Sequence, residues 1–128
     1  MQLHRKHLWS KCSKLAQVRQ KLLNLAASLE RSSFFKQHCF LRTSLLLVYD
    51  GATVDDEAPY AQLKMIDFAC SHPVPEGLNS THDGTWDGSE DSTEDGYLLG
   101  VKSLTRLLER LISQLDDAPR VTPRVDEG

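Results

Sequence analysis

The chemistry-bearing residue that stands out is Asp67, in the stretch "QLKMIDFACSH" (Gln62–His72). Met65, Ile66, Phe68 and Ala69 surround it, and the run reads as a buried strand. A carboxylate among apolar neighbours is costly to bury unless it is paired or bound to something. A carboxylate at the exit of a strand suits a magnesium ion, which takes one or two protein carboxylates and fills its shell with water and phosphate oxygens. Cys70 and His72 follow within a few residues.

Two other constellations invite a metal. "DGTWDGSEDSTE" (Asp83–Glu94) fits the spacing of a calcium loop, with Asp83, Thr85, Asp87, Asp91 and Glu94 in ligand slots and Gly88 at the turn. Thr85 and Glu90 are atypical of such a loop, and no helix leads into it, so a solvated acidic insertion is the competing reading. His38, Cys39, Cys70 and His72 could share a metal only if the fold brought them together, because adjacent and i, i+2 spacings chelate poorly. His4 and His7 are spaced i, i+3 near the start. Three cysteines (Cys12, Cys39, Cys70) without a CxxC make a disulfide framework or zinc ribbon an unlikely design and fit a reducing compartment.

The elements that must hold these groups follow from periodicity. Leu15, Val18, Leu22, Leu25 and Leu29 define one face of a helix over roughly Trp9–Glu30, with Lys11, Lys14, Arg19 and Lys21 opposite. Such a basic amphipathic helix also fits a calmodulin target, with Trp9 and Leu22 as anchors. Ser32 or Ser33 can start a short helix. "LRTSLLLVYDG" (Leu41–Gly51) and "QLKMIDFA" (Gln62–Ala69) predict an antiparallel hairpin joined by an acidic loop, with Ser44 opposite Asp67. Residues 70–95 are acidic, lack Lys and Arg, and read as a long structureless loop. Leu104, Leu107, Leu108, Leu111 and Leu115 predict a last helix packing back on the sheet, with Glu109 paired to Arg106 or Arg110. The resulting class is α+β, with a domain over 1–118 and a disordered tail over 119–128.

Composition narrows the function classes. The 128 residues suffice for one modest domain. Charge is segregated: residues 1–42 carry nine Lys/Arg and one acid, whereas residues 43–128 carry six Lys/Arg and 17 acids. The basic third could meet an anionic partner or the acidic remainder of the chain. It has no interleaved aromatics or recognised module for nucleic acid. No stretch approaches the ~18 apolar residues of a membrane span, and no apolar segment follows the basic start as in a signal peptide. The expected location is cytoplasmic or nuclear.

The ordered set "SSFFKQH" (Ser32–His38), "TSLLLVYDG" (Thr43–Gly51), "KMIDFA" (Lys64–Ala69), "PVPEG" (Pro73–Gly77), "HD" (His82, Asp83) and "EDGYLLGVKSL" (Glu94–Leu104) resembles the inositol polyphosphate kinase family. "SSFFKQH", "PVPEG" and "EDGYLLG" are most similar to its inositol-trisphosphate 3-kinase branch. The resemblance implies a kinase-like fold that moves the γ-phosphoryl group of ATP to a hydroxyl of an inositol phosphate, with magnesium as cofactor. It implies that Asp67, in the "IDF" motif, holds the metal against the nucleotide. It implies that Ser44, in the "SSLL" motif where Thr43 replaces the first serine, lies beside the same site. Cys70 stands where the family carries a Lys or His near the substrate, and His72 is the available substitute. The family's upstream P-x-x-x-D-x-K-x-G motif, which supplies a catalytic Asp and Lys, does not occur in these residues. The chain is therefore expected to be the C-terminal part of a catalytic domain and inactive alone; the rival expectation is a non-catalytic binding or interaction fragment.

Overall fold

In the computed structural model the described residues are 2–50 and 61–117, with side chains described from residue 13 onward. The acidic hairpin loop, the 119–128 tail and the side chains of His4, His7, Trp9 and Cys12 lie outside them. The chain is α+β: α1 (Gln2–Arg31), α2 (Ser33–Lys36), β1 (His38–Leu41), β2 (Ser44–Tyr49), β3 (Ala61–Ile66), β4 (Cys70–Pro73) and α3 (Tyr97–Asp116). No helix among the described residues is long and apolar enough to cross a membrane.

Helix α1 forms because neither Gly nor Pro interrupts thirty residues of 3.6-fold apolar periodicity. Its stripe is the core. Val18, Leu22 and Leu29 are buried, and Leu22 is wholly so. Val101 and Leu108 of α3 meet Val18 and Leu22 on one side, while Ala61, Leu45 and Leu63 of β2 and β3 close over the other. Leu22 is thus packed inside the fold. Ser32 then breaks the helix and caps α2, its Oγ accepting from the Phe35 N–H at 3.1 Å.

The strands form one antiparallel ribbon with a kink in its middle. β2 pairs with β3 as expected, Ser44 opposite Ile66 and Tyr49 opposite Ala61. Beyond the kink β1 pairs with β4, Leu41 opposite Cys70 and His38 opposite Pro73. Between the two ladders lie Arg42 and Thr43 on one side, and Asp67, Phe68 and Ala69 on the other. The extra residue shifts the register by one, as in a β-bulge.

Three expectations require correction. Helix α3 lies along α1, and the sheet reaches it only through the shared core. Its buried face is Leu98, Val101, Thr105 and Leu108, whereas Leu104, Leu107 and Leu111 are exposed. The apolar arc is wider than one stripe, and Thr105 can turn inward because its hydroxyl donates to the Val101 carbonyl at 2.8 Å. Among the described residues Glu109 forms no ion pair. Lys102 instead bridges Glu30 at 3.3 Å and Asp83 at 3.4 Å, joining α3 to the end of α1 and to the acidic loop. Both contacts are solvent-exposed and worth little individually.

Truncating Leu108 to alanine should therefore cost about 2–5 kcal/mol in urea unfolding, as for a closed core site. Leu107→Ala, on the next position, should cost only about 0.5 kcal/mol or less. Equal losses would contradict the observed orientation of α3.

Candidate active site at the ribbon kink

Asp67 sits at the kink, directly after β3, with φ +68°. Arg42 faces it across the break with φ +55°. Aspartate tolerates this left-handed backbone, whereas arginine adopts it at a cost of about 1–2 kcal/mol. The ladders on either side hold both in place. Ser44 does not lie opposite Asp67 as expected: it pairs with Ile66, the last residue of β3, and Asp67 lies one residue beyond the ladder at the same end of the ribbon.

The expected burial of this stretch is not observed. Ile66 is 39% and Phe68 50% exposed, and Asp67, Ala69 and Cys70 are exposed as well. A ribbon covered on one face by α1 cannot bury an unpaired bulge. Asp67 therefore has no desolvation penalty to offset, and it forms no hydrogen bond or ion pair among the described residues. The residue is exposed to solvent at the kink. No group of three or more His, Cys, Asp or Glu side chains among the described residues could hold a metal by itself. A cation at Asp67 would take its other ligands from water or from a bound anion, which is how magnesium is usually held.

The neighbouring candidates separate. Cys70 is exposed at the start of β4. His72 is half-buried, and its Nε2 donates to the Ser92 carbonyl at 3.1 Å, so this imidazole anchors the acidic loop. Cys39, opposite His72, is fully buried. Burial, reinforced by the charges of Asp95, Glu94 and Asp87, pushes its thiol up to about 11. A protonated buried thiol is a poor ligand, and the His38, Cys39, Cys70 and His72 set does not assemble.

Residues 70–95 are not structureless. Their polar side chains bond to one another, which hydropathy does not register. Ser80, His82 and Ser92 are buried. The Ser80 N–H donates to the Lys36 carbonyl at 2.7 Å, and the Val74 N–H to Gln37 at 2.9 Å. Glu94 accepts from the Thr81 N–H at 3.0 Å and the Thr81 hydroxyl at 2.9 Å. Burial raises its carboxyl, but bonds from Thr81, Gly84 and His82 outweigh this and hold it below the usual range. Glu94 packs so closely on Gly84 that a Cβ there would lie 2.8 Å from its Cγ. Asp87 accepts from the N–H and hydroxyl of Ser89. Of the calcium-loop slots, Asp87 and Glu94 are thus engaged with the loop's own polar groups and Asp83 with Lys102, and no three acidic side chains among the described residues come together as a metal site.

The group that composition left unremarked is the buried pair His82–Asp95. His82 Nδ1 lies 2.8 Å from Asp95, and its Nε2 lies 2.6 Å from the Phe35 carbonyl. Both ring nitrogens thus lie within hydrogen-bond distance of an acceptor, which fixes the imidazole from two sides. Its ring stacks on Phe35 at 3.6 Å between centroids. Asp95 also accepts from the Phe40 N–H at 2.8 Å and the Tyr97 N–H at 2.9 Å. Burial pushes Asp95 up, but the bonds from His82, Phe40 and Tyr97 and the His82 charge bring it below the usual carboxylate range. The same burial raises the Tyr97 phenol to about 12, helped by the Asp95 charge. Only the short "HD" and "EDGYLLG" motifs hinted at these residues.

A family model described as inositol polyphosphate kinase matches residues 3–109. The chain is 38% identical over 95 residues to an inositol-trisphosphate 3-kinase homolog of Caenorhabditis elegans, covering 74% of this chain and 17% of that protein. It is 38% identical over 105 residues to inositol-trisphosphate 3-kinase B of Homo sapiens, covering 82% of this chain and 10% of that protein. It thus spans less than a fifth of the length of these curated relatives.

Two measurements check this geometry. Asp95 has a lowered folded value, so its contribution is full above its unfolded value near 4 and is lost as pH falls through the folded one. Asp95→Asn should cost about 1–3 kcal/mol at pH 7, by weakening the bonds to His82, Phe40 and Tyr97, and the gap to the parent should narrow below about pH 4. A gap independent of pH would contradict the pairing. In a Cys12→Ser background, Cys70 should react with a thiol reagent at pH 8 in the native state, and Cys39 only after unfolding.

Proposed function

The chain belongs to the inositol polyphosphate kinase family, and from that premise we propose that it carries the metal-and-nucleotide side of a kinase that phosphorylates a hydroxyl of an inositol phosphate with ATP. The observation that carries this reading is the Asp67 carboxylate, solvent-facing, without a partner among the described residues, and held at a kink between two ladders. Magnesium, when bound, would neutralise the charge of the β- and γ-phosphates and hold them in line for transfer. Asp67 would supply the protein ligand to that ion. Ser44, at the same end of the ribbon, would orient the nucleotide through its hydroxyl. Cys70 lies on the same exposed segment, where an uncharged thiol would border the acceptor phosphates without neutralising them. His72 would take that role only by releasing Ser92, since its Nε2 is already engaged.

In this reading the 128 residues form the C-terminal part of the kinase fold. The P-x-x-x-D-x-K-x-G motif, whose Asp and Lys act on the acceptor, is not among them. Phosphoryl transfer relies on positioning and electrostatic stabilisation, so half of the constellation should not turn over.

The purified chain should show no conversion of inositol trisphosphate with magnesium and ATP; measurable turnover would overturn the expected inactivity. Manganese–ADP, as a paramagnetic probe, should selectively broaden the amide resonances of Ser44, Asp67 and Phe68, and Asp67→Asn should abolish that broadening. Broadening centred elsewhere would remove Asp67 as the metal ligand.

A further inference from the structure

Three non-glycine residues among those described have positive φ. His82 is locked in its buried cluster, and the other two, Arg42 and Asp67, form the two sides of the kink. Glycine would take the Arg42 conformation freely, whereas arginine takes it against its preference. Packing does not explain the choice, because Arg42 is exposed. A backbone outlier of this kind directs attention to what its side chain does. Arg42 forms no hydrogen bond or ion pair among the described residues, not even with Asp67 across the break. It directly follows Leu41, the ladder partner of Cys70. Paired strands lie about 5 Å apart, less than the reach of an arginine, so the guanidinium and the Cys70 thiol can serve the same space.

Resting on the kinase function proposed above, we propose that Arg42 binds a phosphate group of the inositol phosphate acceptor. The family resemblance places a Lys or His at the Cys70 position, where this chain has an uncharged thiol; the missing cation comes from the opposite strand. A guanidinium is always charged, and its planar fork takes two phosphate oxygens at once. Asp67 and Arg42 then divide the kink between them, the carboxylate for a cation and the guanidinium for an anion. Lys64, the other described cation of the ribbon, lies opposite Leu46, two ladder positions back from the kink.

The test is a metal-free titration of the isotope-labelled full chain with inositol trisphosphate, followed by NMR. The amide and guanidinium resonances of Arg42 should shift together and saturate. Arg42→Gly should weaken binding about fivefold or more. It should not lower the urea midpoint, because glycine relieves the left-handed backbone; a purely structural arginine would lower it. Adding Cys70→Lys to Arg42→Gly should regain affinity, and Lys64→Ala should change it by less than about twofold. No saturable shift at Arg42, unchanged affinity in Arg42→Gly, or a loss centred on Lys64 overturns the proposal. Failure of Cys70→Lys to regain affinity overturns the shared space. Metal-free ADP separates the two sources of phosphate: shifts at Arg42 with ADP and none with inositol trisphosphate would overturn the assignment to the acceptor. Manganese–ADP broadening around Asp67 with Arg42 silent toward inositol trisphosphate would sink this proposal and leave the metal site standing.

Discussion

The buried pair of His82 and Asp95 is the constraint on which the rest of the structure depends. Burying a carboxylate and an imidazole costs several kcal/mol unless their donors and acceptors are filled. Here they are filled. The imidazole holds Asp95 at one ring nitrogen, meets the Phe35 carbonyl at 2.6 Å with the other, and lays its face on the Phe35 ring. Asp95 takes two backbone N–H groups besides His82. One cluster therefore fixes the end of α2, the middle of β1, the acidic loop and the start of α3. His82 itself sits at φ +58°, which persists only because every neighbour over-determines its position.

From that cluster the argument runs to the kink. Asp95 holds the Phe40 N–H, which fixes β1, and β1 fixes β4 through its ladder. On the other side, α1 supports β2 and β3 through Leu22, Ala61 and Leu63. The two ladders differ by one residue, and the surplus is expressed as the Asp67 bulge. A single carboxylate that must meet a cation benefits from such support, because its placement is set by backbone pairing on both flanks and not by its own flexible stem. Phe68, packed edge-on against Phe40 at 6.1 Å, further limits the bulge.

Much of this was legible in the residues, for identifiable reasons. The α1 stripe, the Ser32 cap and the β2–β3 hairpin are local signals: periodicity, a hydroxyl before an aromatic pair, and two β-prone runs. β1 and β4 were not legible. "HCFL" and "CSHP" are four residues each, carry little β-propensity, and exist because each pairs with the other across the fold. The loop from Cys70 to Asp95 read as empty of structure because its stability comes from Glu94, Ser80, Thr81 and His82 bonding among themselves. The leucines of α3 announced a helix but not which side of a wide apolar arc would face α1. That choice rests on Thr105 finding its own acceptor.

The motifs that carry the family resemblance mostly converge on the buried cluster. "SSFFKQH" supplies the Ser32 cap and the Phe35 carbonyl, "HD" supplies His82, and "EDGYLLG" supplies Glu94, Asp95 and Tyr97. These residues are tied into the scaffold by packing and hydrogen bonding. Only "IDFA" and "TSLLLVYDG" reach the kink. The departure at Cys70 lies there too, exposed and outside the cluster, where folding places no demand on side-chain identity. A likeness spread along most of the chain therefore testifies chiefly to the scaffold. Asp67, Ser44 and Cys70 are exposed at the ribbon kink, where packing makes little demand on what the side chain is.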